Sequence, residues 1–149
     1  MRLSVIVPVL DDAAALRDCL AALAAQRRPI DEVLMVDNGC TDGSAAVAAG
    51  AGARVIVEPR RGILSAAAAG FDAATGDVLL RCDADSRPHP HWAGVLAGRL
   101  AADPTLDAVT GPGEFTDLPG VRGRAAWALY AAGYFGGMGA AGANMPLWG

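Results

Sequence analysis

The chain has 149 residues, a formal net charge of −4 and 53% hydrophobic residues, so it can bury one α/β core and is too apolar to be disordered. Its 12 basic residues are all arginines scattered along the chain, which excludes an electrostatic footprint for nucleic acid. The absence of lysine excludes a P-loop lysine on phosphates and a Schiff base. We expect a single domain over residues 1–149.

The N-terminal segment predicts a buried strand followed by a helix. Leu3–Val9 is an apolar run rich in Val and Ile, as in a parallel strand covered on both faces, and Pro8 marks its end. Apolar residues then recur at helical spacing over residues 16–26. Asp11 or Asp12 can cap this helix, which should pack on the sheet through its apolar face.

The middle of the chain repeats the alternation of strand and helix. Glu32–Asp37 is a second predicted strand, and a polar turn over residues 38–44 leads into a helix that ends at Gly50. A third strand, Arg54–Glu58, is followed by a helix over Ile63–Thr75. This order is typical of a sheet whose strands run parallel, with helices as crossovers.

The remaining elements complete a doubly wound pattern. Asp77–Cys82 is a fourth predicted strand, Pro90 suits the first turn of another helix, and Asp107–Gly111 is a possible fifth strand. The order predicts an α/β fold with three layers, α/β/α, and a mainly parallel sheet. A ligand site is expected at the carboxyl ends of the strands.

The C-terminal segment 125–149 contains no charged residue. It is long enough to span a bilayer, yet several glycines and Pro146 interrupt it. A loop-rich segment that packs on the core or covers the site is the first interpretation, and a transmembrane helix is the alternative. Because Met1 leads directly into an apolar strand without signal-peptide features, we expect a cytoplasmic protein, with a place at the inner face of the membrane left open.

Acidic residues follow three of the predicted strands. Asp11 and Asp12 come after the first strand, Asp37 ends the second, and Asp83 and Asp85 follow the fourth. We expect Asp37 and Asp83 to end neighbouring strands, so that these carboxylates share one edge of the sheet. Without lysine, such a cluster favours Mg²⁺ or Mn²⁺, whose other ligands are commonly water and substrate phosphates.

Structural roles compete with this functional interpretation. Asp11, Asp12 and Asp42 stand where helix caps are expected, and an Asp-any-Asp triplet alone is weak evidence for a metal site. His89 and His91 follow the triplet, where exposure at a helix entry is the simpler interpretation.

The cysteines do not indicate a second metal site. Cys19, Cys40 and Cys82 are odd in number and far apart, and they include no C-x-x-C pair. We therefore expect reduced, unpaired thiols.

An ordered set of motifs resembles family 2 glycosyltransferases of the GT-A fold. The set comprises VIVPVLD at 5–11, VDNGCTDGS at 36–44, ATGD at 74–77, DAD at 83–85 and GANM at 142–145. Each motif is loose by itself, and the specificity lies in their order. The resemblance covers nearly the whole chain.

The resemblance implies binding of a nucleotide-diphosphate sugar with Mg²⁺ or Mn²⁺, and inverting transfer of the sugar to an acceptor hydroxyl. It places Pro8 and Asp37 near the base, Asp83 near the ribose, and Asp85 with Asp83 at the metal. The residues that it assigns to the nucleotide site are Pro8, Asp11, Asp37, Asn38 and Asp83.

The chain departs from the family pattern in two places. Many relatives carry a phosphate-facing Arg where this chain has Ala67, and Arg60 and Arg61 either compensate or are solvated surface residues. The family's catalytic acids lie beyond the GANM segment, so we expect the general base to be missing and assign no catalytic residue. Glu114 and Asp117 are interpreted as loop-surface residues. The alternative function is a non-catalytic, nucleotide-sugar-binding fragment or pseudoenzyme.

Overall fold

The computed structural model describes residues 1–110 and the positions 125, 128, 129 and 132. Strands and helices alternate through the first range. In chain order they are β1 Leu3–Val9, α1 Ala13–Ala24, β2 Glu32–Asp37, α2 Ser44–Gly50, β3 Arg54–Val57, α3 Ile63–Ala73, β4 Val78–Arg81 and α4 Trp92–Ala102. The chain divides into two compact units, Met1–Val95 and Leu96–Gly149, and the whole sheet belongs to the first.

The sheet has the strand order β3-β2-β1-β4, and every pair of neighbouring strands is parallel. The chain moves outward from β1 to β3 and then crosses to β4 on the other side of β1. Right-handed crossovers therefore place α1 and α2 on one face and α3 on the opposite face. In agreement, α1 packs against α2, while α3 packs against β1 and β2. The predicted three-layer α/β/α fold is confirmed.

The core is built around the central strand, β1. All seven residues of β1 are buried, as expected for a parallel strand covered on both faces. On the α3 face, Ile6, Val36 and Ala66 form a buried cluster. Small side chains on α3 allow a close approach: a Cβ added to Gly70 would lie 2.3 Å from Cγ2 of Ile6.

The predicted strand Leu3–Val9 is confirmed, and Pro8 is its penultimate residue. It lies inside the strand and pairs with Val36. The register of β1 with β4 stops at the pair of Ile6 and Arg81. Because β4 ends before it reaches the level of Pro8, no ladder hydrogen bond requires the N–H that proline lacks.

Two predictions of local structure need correction. Residues 107–110 are not a strand, because this short stretch has only one large apolar residue, Val109, and forms no described strand pairing. Asp12 occupies the N-cap position of α1, but its side chain makes no capping hydrogen bond.

Some sequence-based predictions fall on other parts of the chain. Glu114 and Asp117 lie outside the described residues, as does nearly all of the segment 125–149. Among the described helices, none is long and apolar enough to cross a membrane.

Candidate nucleotide and metal site

The carboxyl ends of the parallel strands form one edge of the sheet, and the predicted site residues lie along it. Asp37 is the last residue of β2, and Asp11 follows β1 by two positions. Asp83 follows β4 by two positions. The sequence predicted that Asp37 and Asp83 end neighbouring strands. This prediction is wrong, because β1 lies between β2 and β4. The two aspartates therefore flank the end of β1, beside the point where the strand order reverses.

Asp37 forms a tight turn with the residues that follow it. Its Oδ1 accepts hydrogen bonds from the backbone N–H groups of Gly39 at 3.0 Å and Cys40 at 2.7 Å. The bond from Cys40, with that from Gly39, holds the pKa of Asp37 below its ordinary value, against the effect of partial burial. Gly39 has φ +98°, which a residue without a side chain adopts easily. Asp37 is therefore ionised at neutral pH.

Asn38 is buried and holds the segment that follows β3. Its Nδ2 donates to the carbonyl oxygens of Glu58 at 2.8 Å and Arg60 at 2.9 Å. Its Oδ1 accepts a hydrogen bond from the N–H of Gly62 at 2.7 Å. The side chain thus fixes residues 58–62 against the end of β2.

The loops after β1 and β2 are joined through polar side chains. Asp11, with φ 51°, accepts hydrogen bonds from the N–H of Thr41 at 2.6 Å and from its hydroxyl at 3.2 Å. Asp42 Oδ2 accepts from the N–H of Ala13, the first residue of α1, at 2.8 Å. Its Oδ1 accepts from the buried hydroxyl of Ser44, at the start of α2, at 2.6 Å. One carboxylate therefore binds to both helix N-termini.

Asp83 and Asp85 stand in a turn directly after β4, and both are exposed. Asp83 Oδ1 accepts a hydrogen bond from Nη2 of Arg81 at 2.7 Å. The carboxylate of Asp85 has no hydrogen bond or ion pair with any residue in the described range 1–110. It is thus available to an external ligand.

Two buried thiols, those of Cys19 and Cys82, contact the backbone of this turn. The Sγ atoms of Cys19 and Cys82 are 3.8 Å apart, and each lies 3.6 Å from the backbone carbonyl oxygen of Asp83. Contact with Cys19, together with burial, raises the pKa of the Cys82 thiol, so it remains protonated. The three cysteines are free, as predicted. Their position next to Asp83 was not predicted, because only the fold brings Cys19 of α1 next to Cys82.

Carboxylates and a thiol also come together between the first two loops. Ligand atoms of Asp11, Cys40 and Asp42 lie within 4.8 Å of one another. Oxygens of both carboxylates already accept hydrogen bonds from Thr41, Ala13 and Ser44. In the described residues, Asp83 and Asp85 do not form such a group of three. A cation held by them would complete its coordination with water and phosphate oxygens.

His89 and His91 lie in a segment whose backbone is hydrogen-bonded to Gln26, just after α1. Gln26 is buried, and its amide binds the carbonyl oxygen of His89 and the N–H of Ala93, each at 2.9 Å. The rings of His89 and His91 are exposed and stacked, with centroids 5.5 Å apart. Their exposure agrees with the simpler interpretation made from the sequence.

Comparison with known proteins identifies related sequences. The family model described as glycosyl transferase family 2 matches residues 4–138. An uncharacterized glycosyltransferase of Mycobacterium tuberculosis is 42% identical over 108 residues, which are 72% of this chain and 47% of the relative. Glycosyltransferase AglE of Haloferax volcanii is 32% identical over 121 residues, covering 76% of this chain and 40% of that protein.

Solved structures show the same fold. Glucosyl-3-phosphoglycerate synthase from Mycobacterium tuberculosis, in complex with Mn²⁺, UDP and glucosyl-3-phosphoglycerate, matches with a TM-score of 0.66 and 26% identity. The match covers 74% of this chain and 43% of that chain. The same synthase has been solved with Mg²⁺ and UDP. The predicted GT-A fold is confirmed. The chain spans less than half the length of each of these relatives.

Proposed function

The chain belongs to glycosyltransferase family 2, and from this premise we propose that its sheet edge binds a nucleotide-diphosphate sugar and a divalent cation for transfer of the sugar to an acceptor hydroxyl. The observation that carries the proposal is the turn after β4. There Asp83 and Asp85 stand at the carboxyl edge, and the Asp85 carboxylate is exposed without a partner among residues 1–110.

The nucleotide would lie across the ends of β2, β1 and β4. Pro8 and Asp37 are assigned to the side of the base, Asp83 to the ribose, and Asp11 to the loop that borders them. Asn38 would act through the segment 58–62, since its amide is already bonded to that backbone. The complexes of the related synthase with UDP support a nucleoside diphosphate at this edge.

The donor set fits a hard divalent cation. Asp85 offers an unpaired carboxylate, and Asp83 offers a second one that Arg81 partly neutralises. Mg²⁺ and Mn²⁺ prefer a few carboxylate oxygens together with water and phosphate oxygens. The bound ion would supply positive charge beside the departing diphosphate.

The proposed reaction is an inverting displacement. The acceptor oxygen forms a bond to the anomeric carbon while the bond from that carbon to the diphosphate oxygen breaks, and the electron pair leaves with the nucleoside diphosphate. A general base must accept the hydroxyl proton. We assign this role to no residue in the range 1–110. In this proposal, the described residues bind and orient the donor.

Replacing Asp85 tests the metal assignment. Asp85→Asn keeps the shape of the side chain but removes the negative charge that retains a hard cation. We expect it to abolish most of the Mn²⁺-dependent binding of UDP or GDP in calorimetry, with an unchanged circular dichroism spectrum. Asp72→Asn is the matched control, because Asp72 is exposed on α3 and equally loses one charge. Equal binding by the two variants would refute the metal assignment.

Turnover tests the second half of the proposal. Release of nucleoside diphosphate from UDP and GDP sugars should be slow without a positioned base, because such a base contributes about a hundredfold to ten-thousandfold in rate. Binding with no release at all would identify the chain as a nucleotide-sugar-binding domain. Rapid release would show that a residue of this chain serves as the base.

A further inference from the structure

Gln26, the second residue after α1, holds the segment that joins α4 to the turn at residues 83–86. Its Nε2 donates a hydrogen bond to the carbonyl oxygen of His89 at 2.9 Å and a longer one to that of Pro88 at 3.4 Å. Its Oε1 accepts a hydrogen bond from the N–H of Ala93 at 2.9 Å. The side chain is only 8% exposed, so a movement that breaks these bonds leaves buried polar groups without partners.

The end of α1 binds this segment at further points. The amide is itself fixed on the helix, since Nε2 also donates to the carbonyl oxygen of Ala22 at 3.1 Å. The neighbouring N–H of Arg27 donates to the carbonyl oxygen of Pro90 at 2.8 Å. An ion pair between Arg87 and Asp18 at 2.5 Å joins the segment to α1 as well, but both side chains are more than half exposed, so it contributes little. The hydrogen bonds at the end of α1 therefore hold the segment more firmly than the ion pair.

The position of the Asp85 carboxylate depends on the backbone of the turn 83–86, because this side chain binds no other residue in the range 1–110. The start of the turn is fixed by the end of β4 and by the hydrogen bond from the N–H of Ser86 to the carbonyl oxygen of Asp83 at 3.0 Å. Beyond the turn, Arg87 alone separates Ser86 from Pro88, where the segment bound by the amide begins. Asp85 thus lies between two fixed points of the backbone.

Two prolines make the connection between these points stiff. Pro88 and Pro90 each fix their own φ and restrict the backbone of the residue before them. Few conformations are therefore available to residues 87–90. A displacement at the carbonyl groups bound by the amide would consequently move the turn, and the carboxylate of Asp85 with it.

We propose that Gln26 is a positioning residue for the divalent cation: by fixing residues 88–93, it sets the position of the Asp85 carboxylate. The proposal rests on the proposed function, since it concerns the cation of that same site. Gln26 touches neither the cation nor the donor and acts through the backbone. Loss of its amide therefore weakens cation binding and leaves the base side of the donor site, at the ends of β1 and β2, unchanged.

The test compares a variant of Gln26 with a variant that loses stability elsewhere. Gln26→Met keeps an unbranched side chain of similar length and removes the amide. Gly70→Ala is the matched control, because its added Cβ meets Ile6 and Val36 under α3, on the other face of the sheet. Free Mn²⁺ is measured by electron paramagnetic resonance in titrations with UDP or GDP present, and Asp85→Asn marks the full loss of the site.

We expect Gln26→Met to weaken Mn²⁺ binding by about tenfold, as for other residues that orient metal ligands. Gly70→Ala should change it by less than about twofold, because distant sites act independently. Binding of uridine or guanosine, followed by NMR saturation transfer, should be the same in wild type and Gln26→Met.

Hydrogen–deuterium exchange without metal or nucleotide tests the anchor itself. Peptides that cover residues 83–93 should exchange faster in Gln26→Met than in wild type or Gly70→Ala, because the segment opens locally when the amide is lost. Peptides from β1 and β2 should exchange alike in Gln26→Met and wild type. Unchanged exchange over residues 83–93 would refute the anchor.

The other outcomes are equally decisive. If Gln26→Met is folded by circular dichroism and binds Mn²⁺ as wild type does, the positioning role is overturned while the proposed function stands. An equal loss in Gly70→Ala, or an equal loss of nucleoside binding in Gln26→Met, also overturns it. If wild type binds no Mn²⁺ with UDP or GDP, both proposals fail. Should Gln26→Met not fold, Gln26→Glu replaces it, since it keeps the acceptor for the N–H of Ala93 and removes the donors.

Discussion

Asn38 binds three backbone groups of the segment 58–62 with one side chain. Both N–H donors and the carbonyl oxygen of the amide are used, and the residue is 4% exposed. A buried amide whose groups are all paired stabilises one conformation of the loop, because any other arrangement leaves polar groups without partners. At this residue the site and the stability of the fold depend on the same contacts.

Replacing this amide should damage the fold and the loop together. Asn38→Asp keeps the acceptor for the N–H of Gly62 but turns a carboxylate toward the carbonyl oxygens of Glu58 and Arg60. We expect a loss of about 2–4 kcal/mol in the free energy of unfolding, measured with urea, because a buried charge replaces two hydrogen bonds. A loss below about 0.5 kcal/mol, no larger than that of the surface variant Asp72→Asn, would contradict this role.

The location of the acidic residues could be predicted from the sequence, and most of their partners could not. Asp37, Asp83 and Asp85 directly follow apolar runs, so the strands themselves bring them to one edge. The partners of Asn38 lie 20 to 24 positions further along the chain. The contact between Cys19 and Cys82 spans 63 positions. Such pairings depend on how the helices cover the sheet, which hydrophobic periodicity does not specify.

The contact between α3 and the sheet depends on a glycine. A Cβ at position 70 would lie 2.3 Å from Cγ2 of Ile6 and 3.0 Å from Cγ2 of Val36. Both neighbours are β-branched and fully buried, so they have little freedom to move. We expect Gly70→Ala to lower the free energy of unfolding by about 1–3 kcal/mol, as in an overpacked core.

Gly50→Ala is the matched control, because Gly50 ends α2 and a Cβ there would meet nothing within 4 Å. It should be neutral or stabilise the fold by up to about 1 kcal/mol, since alanine restricts the unfolded chain. If urea unfolding gives the two variants equal stability, the close packing of α3 on β1 is refuted.

At the level of elements, hydrophobic periodicity predicted the order and type of all eight segments in the range 1–110. The bounds of β1 and β2 agree with the prediction, and the ends of the other elements differ by up to a few residues, because caps and crossovers decide where hydrogen bonding stops. The position of Pro8 near the end of β1 was predicted, but the reason it is tolerated was not, since that depends on how far β4 extends beside it. Residues 107–110 were wrongly predicted as a strand, since strand formation depends on pairing as well as on composition.

The whole molecule should lose stability in acid. Hydrogen bonds lower the pKa values of Asp37, Asp42 and Asp77 below the ordinary value of 3.8, chiefly those from Cys40, Ser44 and Arg2 respectively. A lowered folded-state pKa means that the stabilisation is complete well above pH 3.8 and is lost as the pH falls through the folded-state values.

Urea unfolding at a series of pH values checks this expectation. The midpoint should be nearly constant between pH 7 and about pH 5 and should fall below about pH 4, where the unfolded chain binds more protons. The variant Asp42→Asn should show a shallower fall, because one of the linked groups is removed. A midpoint that rises on acidification would contradict the assignment.

The strand order also has a consequence for synthesis on the ribosome. β1 is completed within the first nine residues, yet its partner β4 ends at Arg81, and Leu3 pairs with Val78. At about 5–20 residues per second, the ribosome completes β4 on the order of ten seconds after β1, which is the most apolar of the described strands. During that interval one edge of β1 is open to wrong partners. Slower elongation before β4 should therefore lengthen this exposure and increase aggregation of the nascent chain, whereas slower elongation after Arg81 should have little effect.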